Sequence, residues 1–273
     1  MPSAENPSRR IRLLFIHHSC GGQWLAPVGP DRGEACIYES AVNGGGLRDR
    51  LDRAGYEVHE ASYGSRVGDK SDVFDWPDKF RRQMSDVLAC DRQDTFYEDG
   101  RRNEIVMFKP CFPNNLFVGA GSPPGNSRGP DLTVENAKTA YMELLPEFER
   151  QSGALFIAVT APPIAVQSVP LYKHLARRLL GRPDVGASGG WARQFNDWLK
   201  DAEHGWLSTY RGKNVAVFDL YDVLTDEGRS DVSRYPSGVS KDDSHPNSTG
   251  NEKAAGRFVP FLNRVVRQSG LDG

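Results

Sequence analysis

Five short strand-like runs constrain what this chain can become. Residues 11–17, 104–108, 155–160 and 215–220 are apolar runs, residues 56–61 alternate apolar with polar side chains, and each reads as a strand. Between them stand stretches whose apolar residues recur at helical spacing. Residues 44–55 set Leu47 and Leu51 among Arg48, Asp49, Arg50, Asp52 and Arg53, and Gly55 supplies the stop. Residues 77–90 begin on Pro77, a good first-turn residue, and carry Phe80, Met84, Val87 and Leu88 on one side. Residues 133–151 read as one helix kinked at Pro146, a further helix carries Trp191, Phe195, Trp198 and Leu199, and residues 247–268 close the chain as another. Strands that alternate with helices along a whole chain predict a parallel sheet covered on both faces. The predicted fold class is therefore α/β, a three-layer α/β/α arrangement around a central, mostly parallel five-stranded sheet.

No linker or composition break divides the 273 residues. The expected organisation is a polar tail over residues 1–10 and a single domain over 11–273, with loop insertions near 111–130, 161–188 and 225–240. A formal net charge of -2 gives no electrostatic case for nucleic acid or for an anionic membrane surface. The four cysteines, Cys20, Cys36, Cys90 and Cys111, lack metal-ligand spacing and are too few for a disulfide scaffold. They read as free thiols or small core residues, and no cofactor or metal is expected. The polar, Pro- and Ser-containing start and the short run after it do not resemble a signal peptide. The chain reads as cytoplasmic, with a secreted or periplasmic location left open for a chain shortened at its start.

Candidate chemistry lies at the two ends. Ser19 follows the first strand directly, ahead of Cys20-Gly21-Gly22, so its hydroxyl is placed where open α/β sheets bind ligands, outside the carboxyl ends of their strands. Near the other end, His245 precedes Pro246 and is therefore held on a loop in an extended or turn conformation. Asp242 stands three residues before it, within reach of one ring nitrogen while the other faces outward. A nucleophilic serine needs a base oriented in that way, because the carboxylate fixes the tautomer and stabilises the imidazolium.

The ordered set of Ser19 after the first strand, Gly68-Asp69 after the second, an asparagine after the third and Asp242-x-x-His245-Pro246-Asn247 near the end resembles the SGNH (GDSL-type) hydrolase superfamily. The resemblance spans nearly the whole chain and implies a flavodoxin-like sheet. Its first block departs from the usual Gly-Asp-Ser, since His17-His18 precede Ser19, and its third block reads Lys109-Pro110-Cys111-Phe112-Pro113-Asn114-Asn115 instead of Gly-x-Asn-Asp. Asn114 is chosen by position, with Asn115 as the fallback. The resemblance implies a Ser19–His245–Asp242 triad and an oxyanion hole built from the Ser19 and Gly68 backbone N–H groups and the Asn114 side chain. Taken singly, Gly68 is also a plain turn glycine, and Asn114 a turn residue whose amide is bonded to its own loop.

The implied activity is a two-step acyl transfer from an ester, as in carbohydrate O-acetylesterases and other short-acyl esterases. The partner is then a small-molecule or glycan ester, with no nucleic acid and no membrane, and the oligomeric state is open. Two alternatives belong to other classes: a catalytically silent carbohydrate-binding relative, and a hydrolase of thioester or glycosidic bonds on the same scaffold. His17 and His18 suggest a metal site, but neighbours on a strand point to opposite faces, and one of them is expected as a buried, hydrogen-bonded histidine. Gly21-Gly22 lacks the residues of a phosphate loop. Residues 171–180 form an amphipathic pattern with a basic face, read as a solvated helix. Trp24, Trp76 and Trp191 are read as core residues with no assigned role.

Overall fold

Strand β1 (Ile11–Ile16) is buried at every position except Arg12, and its side chains feed two separate cores. Leu14 and Ile16 join Trp76, Phe80, Phe108 and Phe148 on one face, while Ile11, Leu13 and Phe15 join Trp24, Leu51, Phe258 and Leu262 on the other. The alternation follows from the two-residue period of a strand. Each large apolar side chain so enclosed contributes about 1.5–3 kcal/mol.

The computed structural model describes residues 5–165, 185–239 and 243–272. After β1 the chain runs through α1 (Ser19–Leu25), a hairpin of β2 (Arg32–Glu34) and β3 (Ile37–Ser40), α2 (Leu47–Arg53) and β4 (Tyr56–Ala61). It continues through α3 (Trp76–Ala89), β5 (Cys90–Arg92), β6 (Thr95–Phe96), β7 (Ile105–Phe108), a 3₁₀ turn (Phe112–Asn115), α4 (Val134–Met142) and α5 (Leu145–Glu149). The last elements are β8 (Leu155–Val159), α6 (Val185–Lys200), β9 (Val215–Phe218), α7 (Leu220–Leu224) and α8 (Ser248–Ser269).

The main sheet has seven strands in the order β6-β5-β4-β1-β7-β8-β9. All neighbours are parallel except β5 and β6. The five expected strands are β4, β1, β7, β8 and β9, and their order is the flavodoxin-like 2-1-3-4-5. The two extra strands are short edge pieces, and β5 meets β4 at the single register pair Glu60 and Arg92. Helices α1, α2, α7 and α8 pack with one another on one face, and α3, α4 and α6 on the other. The helix expected over residues 133–151 is divided in two, because Pro146 falls in the first turn of α5, where a missing N–H costs nothing.

The strand order reverses at β1, whose partners are β4 on one side and β7 on the other. The crevice beyond the carboxyl ends of β1 and its neighbours is thus the topological switch point of the sheet. Among the described residues no helix is long and apolar enough to cross a membrane. The amphipathic pattern at 171–180 lies outside the described residues.

Candidate active site

Beyond Ile16 the backbone of β1 stays tied to β4, with His17 N–H donating to Ala61 O at 3.1 Å. His18 is extended and caps α1, so Ser19 becomes the first residue of that helix, where the backbone N–H has no partner within the helix. The turn is tight enough to require glycine at 21, since a Cβ there would stand 2.4 Å from the Cβ of His17. Ser19 is held by this geometry at the switch point.

His245 reaches Ser19 from the far end of the chain. Asn247 caps α8 by accepting from Gly250 N–H at 2.9 Å, and its own N–H donates to Tyr235 O at 2.7 Å. Ser237 N–H donates to His245 O at 2.8 Å. These bonds fix the loop ahead of α8, and His245 Nε2 lies 2.6 Å from Ser19 Oγ. The other ring nitrogen, Nδ1, meets Oδ1 of Asp243. A carboxylate only accepts, so Nδ1 carries the proton and Nε2 presents its lone pair to the serine hydroxyl. The Phe112 ring stands edge-on to the imidazole at 5.3 Å.

The carboxylate that meets the ring is Asp243, where the family spacing points to Asp242. Asp242 itself lies outside the described residues. The physical reason is a local turn: Asp243 Oδ1 also accepts the His245 backbone N–H at 3.0 Å, which folds the carboxylate onto the ring two residues ahead. Ser237 Oγ donates to the remaining oxygen, Oδ2. Burial alone would raise the Asp243 carboxyl, but the bonds from Ser237 and from the backbone and ring of His245 outweigh it and hold the group below its usual value. The sequence signal was present as Asp-x-His, the spacing of an Asx turn.

The other expected donors are committed elsewhere. Gly68 N–H donates to Ser65 Oγ at 2.9 Å, and a Cβ at Gly68 would stand 1.9 Å from Ser62 O, so this glycine serves close backbone approach. Asn114 accepts Val73 N–H at 2.8 Å and donates to Asp72 Oδ1 at 2.7 Å and Cys111 O at 3.3 Å. Asn115, the fallback, donates to Ala161 O and Pro162 O, each at 2.9 Å. Both amides bind loops together. Of the three donors that the resemblance implies, the Ser19 N–H is the one with no partner among the described residues.

The two histidines ahead of Ser19 diverge. His17 is fully buried, donating from Nδ1 to His18 O at 2.8 Å and meeting Glu60 Oε2 with Nε2 at 2.8 Å, while Glu60 also pairs with Arg48. His18 points instead to Ser71 Oγ and is stacked on by the Tyr63 ring at 4.4 Å. Among the described residues no group of His, Cys, Asp and Glu is arranged to hold a metal ion. Trp24 and Trp76 are enclosed in the two cores, and Trp191 packs against one of them.

No family model matches the chain, and no curated protein is similar to it. Among the solved structures similar to the chain, two share a TM-score of 0.40 and 14% identity. One covers 97% of this chain and 99% of its own. The other is the crystal structure of a Corynascus thermopiles (Myceliophthora fergusii) carbohydrate esterase family 2 enzyme plus carbohydrate binding domain, matched over 99% of this chain and 69% of that one. A likeness of that size carries no argument about chemistry. The reading below rests on the site.

Proposed function

We propose that this protein is a serine-dependent ester hydrolase of the SGNH type. The observation that carries the reading is the contact of Ser19 Oγ with His245 Nε2 at 2.6 Å, with Asp243 against the opposite ring nitrogen. In this reading Ser19 attacks the ester carbonyl, His245 takes its proton and Asp243 stabilises the imidazolium. His245 then protonates the leaving alcohol, and water repeats the sequence on the acyl-enzyme. The Ser19 N–H is one oxyanion donor. Gly68 and Asn114 complete the family's set only if substrate draws them from their present partners.

The substrate is proposed as a carbohydrate O-acetyl or other short-acyl ester. The family resemblance supports it, as does Tyr63, whose ring is 42% exposed and lies over His18, next to Ser19 in sequence. Such a ring suits the apolar face of a sugar.

The test is hydrolysis of p-nitrophenyl acetate and longer-chain esters by the wild type beside Ser19→Ala, with labelling by a fluorophosphonate. Turnover and labelling that vanish together in the variant support the reading, and the chain-length profile defines the acyl group. Folded wild-type protein that neither turns over nor labels overturns it in favour of the silent glycan-binding relative, which the committed Gly68 and Asn114 donors would then explain.

A further inference from the structure

Two of the four cysteines stand together beside Ser19. Cys20 follows it on α1, Cys111 opens the 3₁₀ turn, and their Sγ atoms are 3.9 Å apart, with exposures of 3% and 6%. The hydrolytic reading uses neither thiol. His18 is the third member of the group. Ser71 Oγ donates to Gly68 O at 2.8 Å and so must accept from His18 Nε2, which leaves the lone pair of His18 on Nδ1. Among the described residues that Nδ1, though buried, has no hydrogen-bond partner. Lys109, fully buried two residues before Cys111, adds a cation.

These groups push the two thiols apart. The hydrogen bond with Cys20, then His18 and Lys109, hold the Cys111 thiol well below its ordinary value against the effect of burial. Burial and the same neighbouring sulfur drive Cys20 well above it. A lowered thiol is the reactive kind, and a raised one nearby stays protonated until it is needed.

We propose that Cys111 and Cys20 form a peroxide-responsive thiol pair beside the nucleophilic serine, with Cys20 as the resolving thiol. The Cys111 sulfur attacks a hydroperoxide oxygen, the O–O bond breaks, the thiol proton leaves with the departing oxygen as water or alcohol, and Cys111 is left as a sulfenic acid. Cys20 Sγ then attacks Cys111 Sγ, forming the S–S bond and releasing water with the Cys20 proton. Two thiols lose two electrons and the peroxide gains them. The sulfurs must close from 3.9 Å to about 2.05 Å, which pulls on the residues joined to them, Ser19 and Phe112. Phe112 is the ring packed on His245, so closure disturbs both sides of the Ser19–His245 contact.

The test treats the full chain with hydrogen peroxide and then alkylates the remaining thiols for peptide mass spectrometry. A Cys20–Cys111 cross-link lighter by two hydrogens is expected, together with a sulfenic acid trapped by dimedone on Cys111 in Cys20→Ser. Oxidation should lower fluorophosphonate labelling of Ser19 by about tenfold or more, dithiothreitol should restore it, and Cys20→Ser should lack this reversible loss. Exposure alone would make Cys36, the half-buried thiol, react first. Oxidation of Cys36 ahead of Cys111, or a Cys20 and Cys111 that both remain alkylatable, overturns the proposal. The labelling arm rests on the hydrolase reading, whereas the cross-link does not, so unlabelled reduced protein that still forms the link separates the two failures.

Discussion

Replacing Asp243 by Asn removes one charge while keeping the side chain's shape. In the structure the carboxylate meets the His245 ring through Oδ1, accepts the His245 backbone N–H at 3.0 Å and accepts the Ser237 hydroxyl through Oδ2. An amide can keep one or two of these bonds but cannot neutralise the imidazolium that forms when Ser19 gives up its proton. Two unit charges about 3 Å apart at an effective dielectric near 20 interact by roughly 5 kcal/mol. Side-chain exposures of 21% for His245 and 17% for Asp243 let solvent screen part of that. An effect of about 3–5 kcal/mol on the barrier remains, or roughly 10²–10⁴ in turnover. The assay is kcat for p-nitrophenyl acetate and the labelling rate of Ser19 by fluorophosphonate, measured for Asp243→Asn beside Asp242→Asn. The expected result is a loss in that range for Asp243→Asn and less than about threefold for Asp242→Asn. Equal losses, or a larger one at Asp242, would refute the assignment of the orienting carboxylate.

Two further results are expected. Asn114→Ala leaves Val73 N–H without its acceptor, so it should lower stability by about 1–3 kcal/mol in a denaturant titration while kcat at low temperature falls less than about tenfold; a loss of about 10²–10³ in kcat with unchanged stability would show instead that its amide serves the oxyanion. Burial pushes the Lys79 ammonium down to about 8, against the carboxylates of Asp75 and Asp69, although it donates to Val67 O and Asp69 O at 2.6 Å each. Between that value and the ordinary 10.5 the unfolded chain holds a proton that the folded one has lost, so this group makes stability rise with pH. The wild type should therefore gain up to about 1.4 kcal/mol per pH unit relative to Lys79→Met over pH 8 to 10; a difference that is flat or falls with pH would contradict the burial argument.

Strands β1, β7 and β8 were legible because they are buried on both faces, which leaves a continuous apolar run in the sequence, whereas β4 was legible by its alternation. Strands β5 and β6 were not, since an edge pair of three and two residues leaves no periodicity to read. At the site, sequence order and spacing brought out Ser19 and His245, which depend on position relative to strands. That Asp243 meets the His245 ring follows from a local Asx turn, a matter of backbone dihedrals that family spacing does not encode. Gly68 and Asn114 are polar groups whose partners, Ser65, Val73 and Asp72, come from a loop folded back on itself. Spacing shows that such a donor is present but not whether something else has already taken it. Cys20 and Cys111, read as free thiols or small core residues, meet only through the packing of α1 against the turn after β7.

The proposed nucleophile and its proposed base are separated by 226 positions along the chain. A ribosome adds about 5–20 residues per second, so Ser19 emerges roughly 10–45 s before His245 has been made. Throughout that interval it is an ordinary alcohol with no base to activate it. A growing chain of this kind is thus chemically silent while its crevice is still open to the cell. The hydroxyl meets its base only once the loop before α8 has docked on the sheet, so reactivity arrives with the completed fold.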